Sequence, residues 1–193
     1  MLQADSLTPG MRMEITIQEN RFSFRSEYEI ETPSSYYYAK KAFFSFPAKL
    51  VLKSSDERVL ARIRGRLSFF REKYDFTLSD GRVFRFWCEK RWKRVFECES
   101  DKERYCLYGH KGLRYSVFRD DRQIAAFTKN RIVIGKGNRY EILLDDDADV
   151  VLIACMALAI CTSEDDDNDA TANIDVGSIG PEEKPFDEGW QPS

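Results

Sequence analysis

Trp87-Cys88-Glu89-Lys90-Arg91-Trp92-Lys93-Arg94 places four cationic side chains within five positions and interleaves them with two indoles. Near an anionic bilayer each clustered Lys or Arg contributes about 1 kcal/mol, and tryptophan settles at headgroup level. Lys90, Arg91, Trp92, Lys93 and Arg94 are therefore the candidate lipid-binding residues. A nucleic-acid backbone presents the same charges and ranks below the lipid as a partner. The alternative is an ordinary strand and turn, with tryptophan turned inward and charge turned outward.

Other chemistry-bearing positions are sparse. His110, the one histidine, lies in Gly109-His110-Lys111-Gly112 and reads as a turn residue. A lone imidazole builds neither a Cys/His zinc site with these cysteines nor a Ser/His pair. The same four residues match a KH-type GXXG, but that loop joins helices and this stretch joins strands. Gly135-Lys136-Gly137 lacks the strand-to-helix setting of a phosphate cradle and reads as a hairpin turn. Asp165, Asp167 and Asp169 have calcium-loop spacing, yet Ala170 stands where the loop needs glycine. No catalytic residue, metal site or cofactor is expected.

Composition sets the frame for these residues. The 193-residue chain, 42% hydrophobic, suits one core. Cys88, Cys98, Cys106, Cys155 and Cys161 are odd in number and lack CxxC spacing, which points to a reducing compartment. With no secretory pattern at the start, a cytoplasmic location is expected, possible attachment being peripheral. The net charge of −3 conceals a segregation: residues 145–193 carry 14 acidic side chains against Lys184 alone, while residues 1–144 carry about +10. A basic body suits phosphate-bearing partners, and it equally suits strands that use Lys and Arg to stay soluble.

The positioning elements are strands. From Phe22 to Leu144 the apolar period is two: Val59, Ala61 and Ile63 alternate with Arg58, Arg62 and Arg64. Turn signals at Ser54–Glu57, Asp80-Gly81, Gly109–Gly112, Asp120-Asp121 and Gly135–Asn138 space these runs as successive hairpins. A weak repeat aligns Lys73-Tyr74-Asp75-Phe76, Asp80, Val83 and Phe86 with Arg114-Tyr115-Ser116-Val117, Asp121, Ile124 and Phe127. Repeated hairpins suit an up-and-down sheet, and closure removes its edges. Val150–Cys161, VVLIACMALAIC, is unbroken apolar sequence between acidic runs. As a helix it rises about 18 Å, too short to cross roughly 30 Å of hydrocarbon, so it needs a protein wall around it. Asp146 and Asp149 take cap and third-residue positions. The fold class expected is mainly β, a closed antiparallel barrel around a central hydrophobic C-terminal helix spanning 147–163.

Tyr36-Tyr37-Tyr38-Ala39-Lys40-Lys41, the strand–turn–strand units at Asp56, Asp80-Gly81 and Asp121, and the late apolar helix together resemble the tubby C-terminal-like superfamily, with LURP-one-related proteins the nearest in pattern. The resemblance covers about residues 12–163 and implies a twelve-stranded barrel threaded by its helix. Residues 1–11 are then a flexible N-terminus and 164–193 an acidic disordered tail. The implied function is a non-enzymatic module that binds anionic phospholipid, such as a phosphoinositide headgroup, or a protein partner. Two alternatives stand beside it: a regulatory scaffold autoinhibited by its acidic tail, and scramblase-like activity. The chain lacks the Pro-rich N-terminal region and palmitoylatable cysteine run of scramblases. It also shows no position-by-position match to tubby's phosphoinositide-binding residues, so no binding residue carries over.

Overall fold

The computed structural model describes residues 13–22, 25–42, 47–66, 73–130, 137–168 and 182–192. Twelve antiparallel strands close into a barrel: β1 Met13–Phe22, β2 Arg25–Glu31, β3 Tyr36–Lys41, β4 Lys49–Ser54, β5 Val59–Arg66, β6 Lys73–Leu78, β7 Val83–Lys90, β8 Val95–Glu99, β9 Arg104–His110, β10 Arg114–Arg119, β11 Arg122–Asn130 and β12 Arg139–Leu144. Each strand pairs with its neighbours in sequence, and β1 pairs with β12 to close the ring. No strand of the ring is left with an unpaired edge, the hazard that closure removes.

Alternation sorts the side chains between lumen and wall. Along β5, Ala61, Ile63 and Gly65 are buried while Arg62, Arg64 and Arg66 are exposed. Along β6, Tyr74, Phe76 and Leu78 are buried. The sequence repeat is two equivalent hairpins, β6–β7 and β10–β11, and its aromatic positions face each other across the strands as Tyr74↔Phe86 and Tyr115↔Phe127. The second pair stacks at 4.8 Å between ring centroids.

The lumen is filled by α1, Val150–Asn168, in which Leu152 to Ser163 are all buried. The helix begins later and ends later than the expected 147–163. Asp149 is its cap, not a third residue: the side chain accepts the Leu152 N–H at 3.0 Å, the bond an N-cap makes to an otherwise unpaired donor. Inside the wall the Tyr74 hydroxyl lies 3.2 Å from Ser163 Oγ, which ties β6 to the end of the buried part of α1. No described helix is long and apolar enough to cross a membrane.

The acidic residues before α1 form a collar at its entry. Asp149 pairs with Arg82 at 2.5 Å, Asp145 with Arg122 at 2.9 Å, and Asp147 with both Arg119 and Arg122. Hydrogen bonds from Arg122 and then Arg119 hold the Asp147 carboxyl below its ordinary range. Part of the sequence's charge segregation is thereby neutralised inside the domain. Residues 1–11 and Gly135-Lys136, the first half of the last expected turn, lie outside the described residues.

Candidate anion-binding surface

The exposed residues of β5 form an arginine row because a period of two sends every second side chain outward. Cross-strand register sets Lys49 beside Arg64 and Lys73 beside Arg66. Like charges directly opposite each other are destabilising unless something neutralises them. Arg66 is neutralised by Asp75 at 2.5 Å, and Arg85 meets Glu99 at 3.4 Å. Arg62 and Arg64 are exposed and form no ion pair among the described residues. A hollow of ≈ 520 Å³ lies over this face, its charged lining being Arg62, Arg64, Arg66 and Arg85 with Asp75, Glu99 and Asp101. A second hollow of ≈ 260 Å³ shares Arg66 and Arg85 and continues to Lys73 and Trp87.

The predicted cluster lies beyond Trp87 on the same strand. Lys90 ends β7, and Arg91–Lys93 form a single 3-10 turn, η1. Arg94 leaves it in the left-handed region at φ 51°. The five residues do not present one cationic face. Lys90 and Lys93 both converge on Glu183 Oε1, at 2.7 and 3.1 Å. The hydrogen bond it donates to Glu183 holds the Lys90 ammonium above its ordinary value, and those from Lys90 and Lys93 hold the Glu183 carboxyl below its own. Arg94 turns from that face toward the lumen side, where its guanidinium bonds the hydroxyl of the buried Tyr115 and lies 4.7 Å from that ring. Arg91 is exposed, and the Trp92 side chain lies outside the described residues. Trp87 departs from the inward tryptophan of the alternative reading. Phe86 and Cys88 take the lumen positions, and Trp87 stands half-buried on the wall, its indole donating to Glu89 at 3.0 Å. Lys40 does not join the Lys90–Arg94 cluster, since β4, β5 and β6 separate β3 from β7.

The backbone here depends on one glycine. Gly109 donates to the Arg94 carbonyl at 2.8 Å, and a Cβ at position 109 would stand 2.6 Å from the Arg94 Cβ. That close approach sets η1 against β9. It also corrects the reading of Gly109–Gly112 as a turn throughout. The turn proper is Lys111–Leu113, with Gly112 at φ 74°, and His110 is the buried last residue of β9.

A family model for LURP-one-related proteins matches residues 13–161. The chain belongs to the LURP-one-related family. No curated protein and no solved structure matches it. The LURP-one-related match runs from β1 through every strand to the buried part of α1. The match ends before the residues that cover η1.

Those residues, 182–192, fall in the stretch expected to be a disordered tail, and they lie against the wall. Besides Glu183 on η1, Glu182 accepts from the Lys111 N–H at 3.2 Å and sits 3.2 Å from His110 Nδ1. Glu188 pairs with Arg114. Phe186 lies 5.1 Å from the His110 ring and 4.3 Å from the Arg114 guanidinium. The cover explains why β10 is buried on both faces, including the outward Ser116 and Phe118. Sequence periodicity carried a hint of this: Tyr115-Ser116-Val117-Phe118 breaks the alternation by placing an aromatic on the wall.

Proposed function

We propose that this LURP-one-related barrel is a non-enzymatic module that binds anionic phospholipid headgroups, phosphoinositides in particular, at the cytoplasmic surface of a membrane. The observation that supports the reading is the pair Arg62 and Arg64, exposed in a hollow with Arg66 and Arg85 and forming no ion pair among the described residues, although Asp75 stands opposite Arg64 and Glu99 and Asp101 share the hollow. Guanidinium groups match phosphate geometry in bidentate fashion, which a scattered solvated surface does not require. Of the cluster Lys90, Arg91, Trp92, Lys93 and Arg94, the exposed Arg91 and the two lysines held by Glu183 extend the cationic surface beyond Trp87, and Lys90 and Lys93 become available when Glu183 leaves.

Co-sedimentation with phosphatidylcholine vesicles containing a phosphoinositide tests the reading. Arg62→Ala with Arg64→Ala lowers affinity about thirtyfold, from about 1 kcal/mol per cation. Raising salt weakens binding steeply. Wild-type chain that fails to sediment at low salt, or a double variant that sediments like wild type, refutes it.

A second reading is favoured by the contacts of Glu183: the acidic tail covers part of the binding surface and restrains it. Glu183→Gln in the full chain then raises vesicle binding, and combining it with Lys90→Ala and Lys93→Ala removes the gain. Equal binding by Glu183→Gln and wild type would end the autoinhibition reading while leaving the Arg62–Arg64 surface standing.

A further inference from the structure

We infer that the groove between η1 and the β9–β10 hairpin is a docking site for a partner protein's acidic peptide anchored by a phenylalanine, and that residues 182–192 occupy it in cis. The inference rests on the reading that this segment covers the wall, and it adds what the covered surface recognises.

The groove contains a seat for a carboxylate. His110 is 1% exposed, its Nε2 lies 2.7 Å from Ser116 Oγ, and its Nδ1 faces Glu182. A carboxylate acceptor fixes the proton on Nδ1, so the Ser116 hydroxyl donates to Nε2. Burial pushes the imidazole below its ordinary value and favours that neutral form. The Lys111 N–H supplies the second donor, to the other oxygen of the same carboxylate. Once a segment covers the ring, Nδ1–H and the Lys111 N–H are shut off from water and need an acceptor from that segment, because an unmet buried donor is costly.

Next to the seat the wall departs from the charged pattern of the other strands. Tyr108 and Phe118 form an edge-to-face pair on the outside of β9 and β10, 5.6 Å apart. In the cis arrangement Lys184 Nζ lies 3.6 Å from the Phe118 ring centroid, and Phe186 fills the angle between His110 and Arg114. Pro185 biases Lys184 toward an extended backbone, which spreads Glu182, Glu183, Lys184 and Phe186 along the groove. Carboxylate, second carboxylate and aromatic anchor therefore meet three separate complements: His110 with Lys111, Lys90 with Lys93, and Arg114.

What holds the segment also makes it exchangeable. Among the described residues its bonds to the barrel run through side chains, and no backbone ladder ties it to a strand. A tethered segment occupies such a site because its effective concentration is on the order of millimolar, so modest contacts suffice. A partner presenting the same pattern with further contacts of its own displaces it and frees Lys90 and Lys93.

The test uses the full chain and no vesicles. A fluorescein-labelled peptide with the sequence of residues 182–190 is titrated by anisotropy against wild type and against Glu182→Gln/Glu183→Gln/Phe186→Ala/Glu188→Gln, which removes the segment's acidic and phenylalanine contacts with the barrel while leaving every barrel residue in place. The emptied variant binds at least about tenfold more tightly than wild type, by removal of the tethered competitor. Peptide lacking the phenylalanine, or with both leading glutamates changed to glutamine, loses that binding, as does adding Arg114→Ala to the variant. An emptied chain that binds no better than wild type overturns the inference. So does equal binding of the peptide without phenylalanine. Wild-type dimers in sedimentation that vanish in the emptied variant would place a second copy's segment in the groove and overturn the partner assignment. Because no lipid enters these readings, failure at the Arg62–Arg64 surface leaves them unchanged. Failure here with a surviving Glu183→Gln gain on vesicles keeps the cover and removes the partner.

Discussion

Inside and outside of this barrel follow different rules. The lumen is specified many times over: each strand sends every second residue to α1, and from Leu152 to Cys161 no helix residue is more than 2% exposed. The wall is specified by charge and by a few singular contacts, such as Glu183 between two lysines. Changes in the lumen should therefore act on the whole domain, and changes on the wall should act locally.

The most severe way to test that division is a charge in the lumen. Ile153 and Leu158 are fully buried on α1. Aspartate at either position leaves an unpaired charge there, at more than about 4 kcal/mol, a large share of a typical domain's 5–15 kcal/mol. Circular dichroism and urea denaturation of Ile153→Asp should show loss of the cooperative transition. A folded variant would mean that α1 is not the element around which the barrel closes.

Gly109→Ala tests the boundary between the two regions. The added Cβ meets the Arg94 Cβ at 2.6 Å and the Tyr115 ring at 3.2 Å, neither of which is the far end of a flexible chain. Overpacking of this kind costs about 1–3 kcal/mol, and the strain falls on η1. The variant should melt lower and bind the labelled peptide differently from wild type, since Lys93 and Arg94 shift with the turn. Unchanged stability and peptide affinity would show that η1 gives way freely.

Legibility in the sequence follows the same division. Periodicity two, the Asp-led turns and the Tyr74/Tyr115 repeat revealed the strands and the hairpins, and the length of Val150–Cys161 required an enclosing wall. These features lie within a single strand or hairpin, where local pattern and final contact coincide. The surface was less readable. Arg62 and Arg64 were visible as outward charges, but only strand register shows Lys49 beside Arg64 and Arg85 across β6. The cluster Lys90–Arg94 was visible as charge, yet its partner Glu183 is 93 residues from Lys90 and 90 from Lys93. His110 looked like part of a turn because its burial comes from Ser116 and from the distant segment 182–192, neither of which its immediate neighbours announce.

A smaller effect belongs to the entry collar, where lumen and wall meet at Asp149. Its side chain both caps α1 and pairs with Arg82. Loss of an N-cap costs about 1 kcal/mol, and the half-exposed pair adds little after solvent screening. Asp149→Ala should lower the thermal midpoint modestly with an unchanged fold. Asp149→Asn, which keeps a capping oxygen and removes the charge, should recover most of the difference. Equal loss in both variants would assign the effect to the ion pair and not to the cap.

Acidification should act on the wall cover alone and so sharpen the comparison most finely. Burial raises the Glu182 carboxyl, but the Lys111 N–H and His110 together outweigh it and hold the group below 4.5; Lys90 and Lys93 hold Glu183 below the same value. The attached segment thus binds fewer protons than the released one, so these carboxylates support attachment fully above about pH 4.5 and lose that contribution as pH falls through their depressed values. His110 has the same sign: its neutral form is favoured in place, so its contribution is present above its ordinary 6.5 and declines below it. Trp190, which belongs to the segment, reports release through its indole N–H resonance, while Trp87 on β7 serves as the internal control. Between pH 7 and pH 4 the Trp190 signal should move to its released position before the Trp87 signal changes. Simultaneous movement of both would show that the cover and the barrel form one cooperative unit, and the separation of wall from lumen would fail at this point.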